Sequence, residues 1–173
     1  DDETLEGVVG TLLTAKGLTL SIAESCTGGL IADRLTDVSG SSRYVERGVV
    51  TYSNAAKVEL LQVPEAILSE FGAVSEPTAR FMAEGVRRAA GVDVGISTTG
   101  IAGPTGAVPG KPVGTVYIAV AGPAGTVCRR YLFHRNRRKV KLAAACAALM
   151  LLREYLLSLP EQPETLDLGE VDI

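Results

Sequence analysis

The 173-residue chain carries a single histidine, His134, and three cysteines, Cys26, Cys128 and Cys146, none of them in a CxxC pair. That set is too thin for a structural zinc site, and no metal or cofactor is expected. An odd number of scattered thiols suits a reducing compartment, so a cytoplasmic protein is expected. No hydrophobic run spans a bilayer: the longest, Leu142 to Leu152, is too short and is flanked by charge. No signal-peptide pattern is visible, although the chain opens on Asp1 rather than Met, which leaves open that it is part of a longer protein.

Nor is there a strong excess of one charge. The net charge is −3, with 17 basic and 20 acidic residues. Five of the acids, Glu161, Glu164, Asp167, Glu170 and Asp172, fall after Ser158, where there is no base, leaving 15 acids against 17 bases in the body. A body this close to neutral does not suggest a nucleic-acid binder. Residues 1–158 are expected to form one domain, followed by an acidic, flexible tail over 159–173 that contains Pro160 and Pro163.

Hydrophobic residues make up 46% of the chain, and their spacing gives a coarse plan. Leu5, Val8, Val9, Leu12 and Leu13 share a helical face that Gly17 stops. LTLSIA, VERGVVTY and VDVGISTT read as strands, and GGLIADRLTDV as a helix. Asn54 is placed to cap AAKVELLQV. Ser75 caps EPTARFMAEGVRRAAG, with Ala79, Met82, Val86 and Ala90 facing inward. TVYIAV and TVCRRYLF, joined by AGPAG, read as a hairpin, and RRKVKLAAACAALMLLREYLL as a last helix. Alternation early and a hairpin late predict an α/β layered fold with a mixed sheet, parallel in part. The apolar last helix suits a subunit interface as well as a core, so a homo-oligomer is one expectation.

Three stretches carry the chemistry: SIAESCTGGL, TYSNAAK and TTGIAGPTG. Each follows a predicted strand, and open α/β sheets bind ligands at that edge. In the first, a helix cap by Ser25 or Thr27 is the plain reading; a phosphate cradle and a nucleophile held at a strand-to-helix corner are the other two. The turn is neither a P-loop nor GxSxG. Gly28 and Gly29 allow backbone amides to approach an anion or an oxyanion closely.

A serine nucleophile needs a base. A Ser-His-Asp triad would rest wholly on His134, which sits in a basic run. Lys57 is the other option: in the first turn of its helix the dipole disfavours an ammonium, and burial beside the sheet lowers its pKa further. A neutral Lys57 takes a proton from Ser25, and Tyr52 at the strand end relays or orients it; a solvated Lys57 and a packing Tyr52 are the plain alternatives. Cys26 is a rival nucleophile. In an extended strand end Ser25 and Cys26 point to opposite sides, so one of them faces the pocket. The glycine-rich loop after Thr98 and Thr99 is either a ligand cradle or a plain crossover. Arg135, Arg137, Arg138, Lys139 and Lys141 crowd the start of the last helix, an arrangement explained either by a bound anion such as a phosphate or by solvation.

AESCTGGLIADRLTDVSGSSRYVERGVVTYSNAAKVELL, TTGIAGPTG and PVGTVYIAV together resemble the CinA C-terminal family over roughly Leu5 to Leu157. Members include a nicotinamide-nucleotide amidohydrolase. The resemblance implies an α/β/α sandwich that hydrolyses the carboxamide of nicotinamide mononucleotide (NMN) to nicotinate mononucleotide and ammonia. It implies Ser25 as nucleophile rather than Cys26, Lys57 as base and Tyr52 assisting. It also implies an oxyanion site from the amides of Thr27, Gly28 and Gly29, and a nucleotide pocket along Thr99, Gly100, Ile101, Ala102 and Gly103. Arg137 matches a phosphate-contacting position, although Arg135-Asn136-Arg137 departs from the family's Gly-x-Arg. The alternative is a catalytically silent nucleotide-binding module, a fragment of a two-domain protein.

Overall fold

The computed structural model describes residues 3–161; the predicted acidic tail lies outside the described residues from position 162 onward. Five strands form one sheet in the order β2-β1-β3-β4-β5: β1 (Leu20–Glu24), β2 (Val45–Val50), β3 (Val94–Gly100), β4 (Thr115–Gly122) and β5 (Gly125–Leu132). β1 runs parallel to both β2 and β3, and the β4–β5 hairpin is antiparallel. This is the mixed α/β sheet expected from the pattern. Its helices are α1 (Leu5–Lys16), α2 (Leu30–Thr36), α3 (Asn54–Leu61), α4 (Glu65–Phe71), α5 (Glu76–Ala90) and α6 (Arg137–Ser158).

Strand alternation sorts the core into two layers. Leu20 and Ile22 of β1, Val94 and Ile96 of β3, and Val116, Ile118 and Val120 of β4 pack with α1, α2 and α6. Ala23, Ala119 and Ala121 face the other way, towards Met82, Val86, Ala79 and Ala83 of α5. Small residues let α5 sit close. A side chain on Gly95 would stand 2.2 Å from the Ala83 carbonyl oxygen, and one on Gly85 would stand 2.1 Å from that of Leu61. Gly85 thereby seats the end of α3 directly on α5. Among the described residues no helix is long and apolar enough to cross a membrane.

Two local expectations change. Ser53, not Asn54, caps α3: its hydroxyl accepts from the Ala56 amide, and Asn54 is the first helical residue. Both are good caps, and the extended backbone at Ser53 decides between them. The stretch after Pro64, left unassigned in the sequence, forms α4; Gln62 in the left-handed region ends α3 just before it.

Candidate active site

The ends of β1, β2 and β3 lie side by side, because β1 is flanked by two parallel neighbours. The ladder continues past the strands. Ser25 N–H donates to the Thr98 carbonyl at 3.1 Å, and Thr51 N–H donates to the Glu24 carbonyl at 2.8 Å. Three loops far apart in sequence thus meet at one edge and enclose a cleft of about 240 Å³. Ser25, Cys26, Tyr52, Lys57, Thr99, Gly100, Ile101, Ala102, Gly103 and Arg137 line it, together with Ala73, Val74, Thr105 and Gly106.

Lys57 is 1% exposed. The last turn of its helix is fixed by the Gly85 contact, and its side chain is directed inward beneath the β1 end. Its Nζ donates to Ser25 Oγ at 3.1 Å and to the Thr51 carbonyl at 2.8 Å. Among the described residues no carboxylate bonds to it. Burial therefore lowers its pKa from the ordinary lysine value, opposed only by the nearby Cys26 sulfur. A neutral amine keeps one N–H on Thr51 and turns its lone pair to the Ser25 hydroxyl, the contact a general base requires.

Both Ser25 and Cys26 line the cleft, although only one was expected to face it: β1 ends at Glu24, so the two lie in the turn beyond it, where strand alternation no longer applies. Ser25 reaches Lys57, whereas Cys26 packs with the α6-side core and would touch a side chain placed on Gly100. Burial pushes the Cys26 thiol up to about 12, so it carries no thiolate at neutral pH.

The other predicted residues divide. Thr27 is buried outside the cleft: its hydroxyl donates to Glu24 Oε1 at 2.6 Å and lies 2.8 Å from the Thr98 hydroxyl. Gly28 and Gly29 also lie outside the lining, and the Gly28 amide is committed to the Ser25 carbonyl at 3.1 Å. Thr99 ties β3 to the α4–α5 turn by donating to the Ala73 carbonyl at 2.7 Å. Tyr52 is 63% exposed, and its hydroxyl accepts from Arg137 Nη2 at 3.1 Å rather than bonding to Lys57. Arg137 Nη1 donates to the Gly103 carbonyl at 2.8 Å, so one guanidinium joins two walls of the cleft. His134 is exposed and outside the lining, so no histidine serves Ser25.

Sequence reasoning missed Glu24. The residue is 1% exposed, and its carboxylate accepts from the Thr27 hydroxyl and from the amides of Ile31 at 3.0 Å and Ala32 at 3.1 Å. It caps α2 from the end of β1 and so fixes the turn that begins at Ser25. An acid directly after the predicted strand LTLSIA was the available signal. Nothing in composition marked Ala73, Val74 or the Thr51 carbonyl.

Comparison with known proteins places this architecture. A family model described as the CinA C-terminal domain matches residues 2–156. A CinA-like protein of Syntrophus aciditrophicus is 66% identical over 157 residues, covering 90% of this chain and 37% of that protein. One from Geotalea uraniireducens is 52% identical over 159 residues, covering 92% and 38%. The chain thus spans well under half the length of these relatives. Among solved structures, competence damage-inducible protein A of Klebsiella pneumoniae superposes with a TM-score of 0.87 at 36% identity, covering 90% of this chain and 97% of that one. Competence/damage inducible protein CihA of Agrobacterium tumefaciens gives 0.83 at 40% identity, covering 88% and 95%.

Proposed function

The chain belongs to the CinA C-terminal domain family, and from that premise we propose that it is an amidohydrolase acting on the carboxamide of nicotinamide mononucleotide. The observation that carries this reading is the buried, carboxylate-free Lys57 amine 3.1 Å from the Ser25 hydroxyl. A serine nucleophile in amide hydrolysis needs a neutral base within hydrogen-bond reach of its hydroxyl, and Lys57 is so placed.

The neutral Lys57 amine takes the Ser25 proton as Oγ bonds to the carboxamide carbon. The resulting tetrahedral oxyanion collapses, the C–N bond breaks, and the proton returns from Lys57 to the departing ammonia. Water then attacks the acyl ester with Lys57 again as base, releasing nicotinate mononucleotide and restoring Ser25. Thr51 holds the amine on line through its carbonyl. Tyr52 acts through Arg137, whose guanidinium it orients towards the phosphate end of the substrate. The loop from Thr99 to Gly103 shapes the pocket wall. Oxyanion stabilisation falls to amides of the turn after Ser25 other than that of Gly28, which is already bonded.

Ammonia release from nicotinamide mononucleotide, measured for the unaltered chain and for Ser25→Ala, tests the proposal. The unaltered chain should release ammonia, and the variant should lose at least about a thousandfold in rate. Binding without ammonia release by the unaltered chain would make this a silent nucleotide-binding module.

A further inference from the structure

Two walls of the cleft come from segments far apart in sequence. Ala73 and Val74 lie in the turn between α4 and α5, and Thr105 and Gly106 lie in the loop between β3 and β4. On the turn side, three successive carbonyls are held by side chains. The Thr99 hydroxyl donates to the Ala73 carbonyl at 2.7 Å, which anchors the turn to β3. The Thr78 and Ser75 hydroxyls donate to the Gly72 carbonyl at 2.7 and 2.9 Å, which anchors it to the start of α5. The third donor comes from the opposite wall: Lys111 Nζ donates to the Phe71 carbonyl at 2.6 Å.

The loop is built to deliver that contact. Val108 and Lys111 exchange backbone hydrogen bonds of 3.1 and 2.9 Å across Pro109 and Gly110, the latter at φ +77°. Proline followed by a glycine of positive φ suits a tight turn, so the segment is a stiff strap. Arg130 Nη2 donates to the Gly110 carbonyl at 3.0 Å and ties the tip of the strap to β5. At its other side the Lys111 ammonium sits over the turn, 3.4 Å from where a side chain on Gly72 would begin. Phe71 is the last residue of α4, and a carbonyl there has no partner within the helix, so a cation suits it. Among the described residues Lys111 pairs with no carboxylate. Thr105 and Gly106 themselves make no hydrogen bond among the described residues. That stretch of wall hangs between two cations, Arg137 at the Gly103 carbonyl and Lys111 at the strap.

We propose that Lys111 is a positioning residue that sets the width of the cleft by tying the loop wall to the α4–α5 turn, and so decides which carboxamides reach Ser25. It touches no substrate and acts through the walls it joins. The selective part of this role rests on the reading of the cleft as an amidohydrolase site, whereas the tether does not. With the strap fastened, a ring that enters is held between walls of fixed spacing, and its carboxamide meets the Ser25 hydroxyl in one pose. With the strap loose, the wall at Thr105 and Gly106 moves away, wider rings enter, and the pose of the narrow one slackens.

Amide hydrogen exchange in the full chain reads the tether, and substrate discrimination reads the role. Exchange at residues 72–74 and 103–111 should quicken about tenfold or more in Lys111→Met, hold its level elsewhere, and return to within about threefold in Lys111→Arg, which restores a charged donor. Arg88→Gln, exposed near the end of α5, should leave both readings unchanged. The unaltered chain should favour nicotinamide mononucleotide over the same nucleotide methylated on its pyridine ring by about tenfold or more in kcat/KM, and Lys111→Met should shrink that ratio about fivefold or more. A merely structural lysine would lower the melting temperature and leave the ratio alone. Should Lys111→Met fail to fold, Lys111→Gln, a shorter and uncharged donor, is measured in its place with the same expectations. Exchange that is unchanged, or quickened throughout the chain, overturns the assignment, as does a ratio that is absent at the start or constant in the variant. No ammonia from the unaltered chain would sink the amidohydrolase alone. The ratio is then taken from calorimetric affinities for the two nucleotides: its fall in Lys111→Met upholds the tether, and its constancy, or no binding of either nucleotide, overturns it.

Discussion

Lys57 Nζ rests 3.1 Å from Ser25 Oγ, although the two residues are 32 positions apart and stand on different elements. A helix seated on its neighbour through a glycine brings one, and the end of a central parallel strand brings the other.

The rate of ammonia release should rise with pH and level off through an inflection below the ordinary lysine value of 10.5, because only the neutral Lys57 accepts the Ser25 proton and burial lowers its pKa. A kcat profile between pH 5 and pH 10 measures this. A rate that falls across the neutral range, or an inflection at the ordinary value, would contradict the assigned base.

Burying that amine should also cost stability, in a pH-dependent way. With its folded pKa below its unfolded one, Lys57 binds fewer protons in the folded state, so its destabilising effect is full below the folded pKa and fades as pH rises towards 10.5. Lys57→Met should therefore melt a few degrees above the unaltered protein at pH 6, with the gap narrowing by pH 9, while ammonia release is lost. Parallel melting curves at the two pH values decide it.

Glu24→Ala should destabilise by roughly 2–4 kcal/mol, since it strips the Ile31 and Ala32 amides and the buried Thr27 hydroxyl of their acceptor. Activity should fall in the variant that remains folded, because the turn after Ser25 loses its anchor. Urea unfolding measures the first effect, and ammonia release below the midpoint measures the second.

Gly85→Ala sets a surface-level propensity rule against packing. Alanine favours a helix by up to about 1 kcal/mol over glycine. Here, however, its Cβ would stand 2.1 Å from the Leu61 carbonyl oxygen of the helix that carries Lys57. The close approach should win, with a net loss of about 1–3 kcal/mol and a drop in kcat as α3 is pushed outward. A more stable variant would show that α3 can move freely.

Cys26→Ala should keep ammonia release within about threefold, and the unaltered thiol should resist iodoacetamide at pH 8, because burial holds it protonated. Inactivation by alkylation of Cys26 would return it to candidacy as the nucleophile.

Much of the fold was legible because its signals are local. Gly17 and Gly91 take the left-handed caps that end α1 and α5, and Ser75 caps α5 as its spacing suggests. Choosing Ser53 over Asn54 required the backbone angle at one residue, which two equally good capping side chains do not reveal. The helix after Pro64 has no fully buried residue, so its weak apolar stripe gave little to read.

From its own residues the chain determined that strands and helices alternate and that three polar loops follow three strands, the first of them carrying Ser25 and Cys26 side by side. Which of them meets the amine depended on the sheet order. Only with β1 between two parallel strands do the loops share an edge, and only with α3 pressed onto Gly85 does Lys57 turn inward. Likewise Tyr52 pairs with Arg137, 85 residues on, and the Gly28 amide turns back to Ser25. These are contacts between segments that only packing brings together, and no local pattern encodes the distance between them.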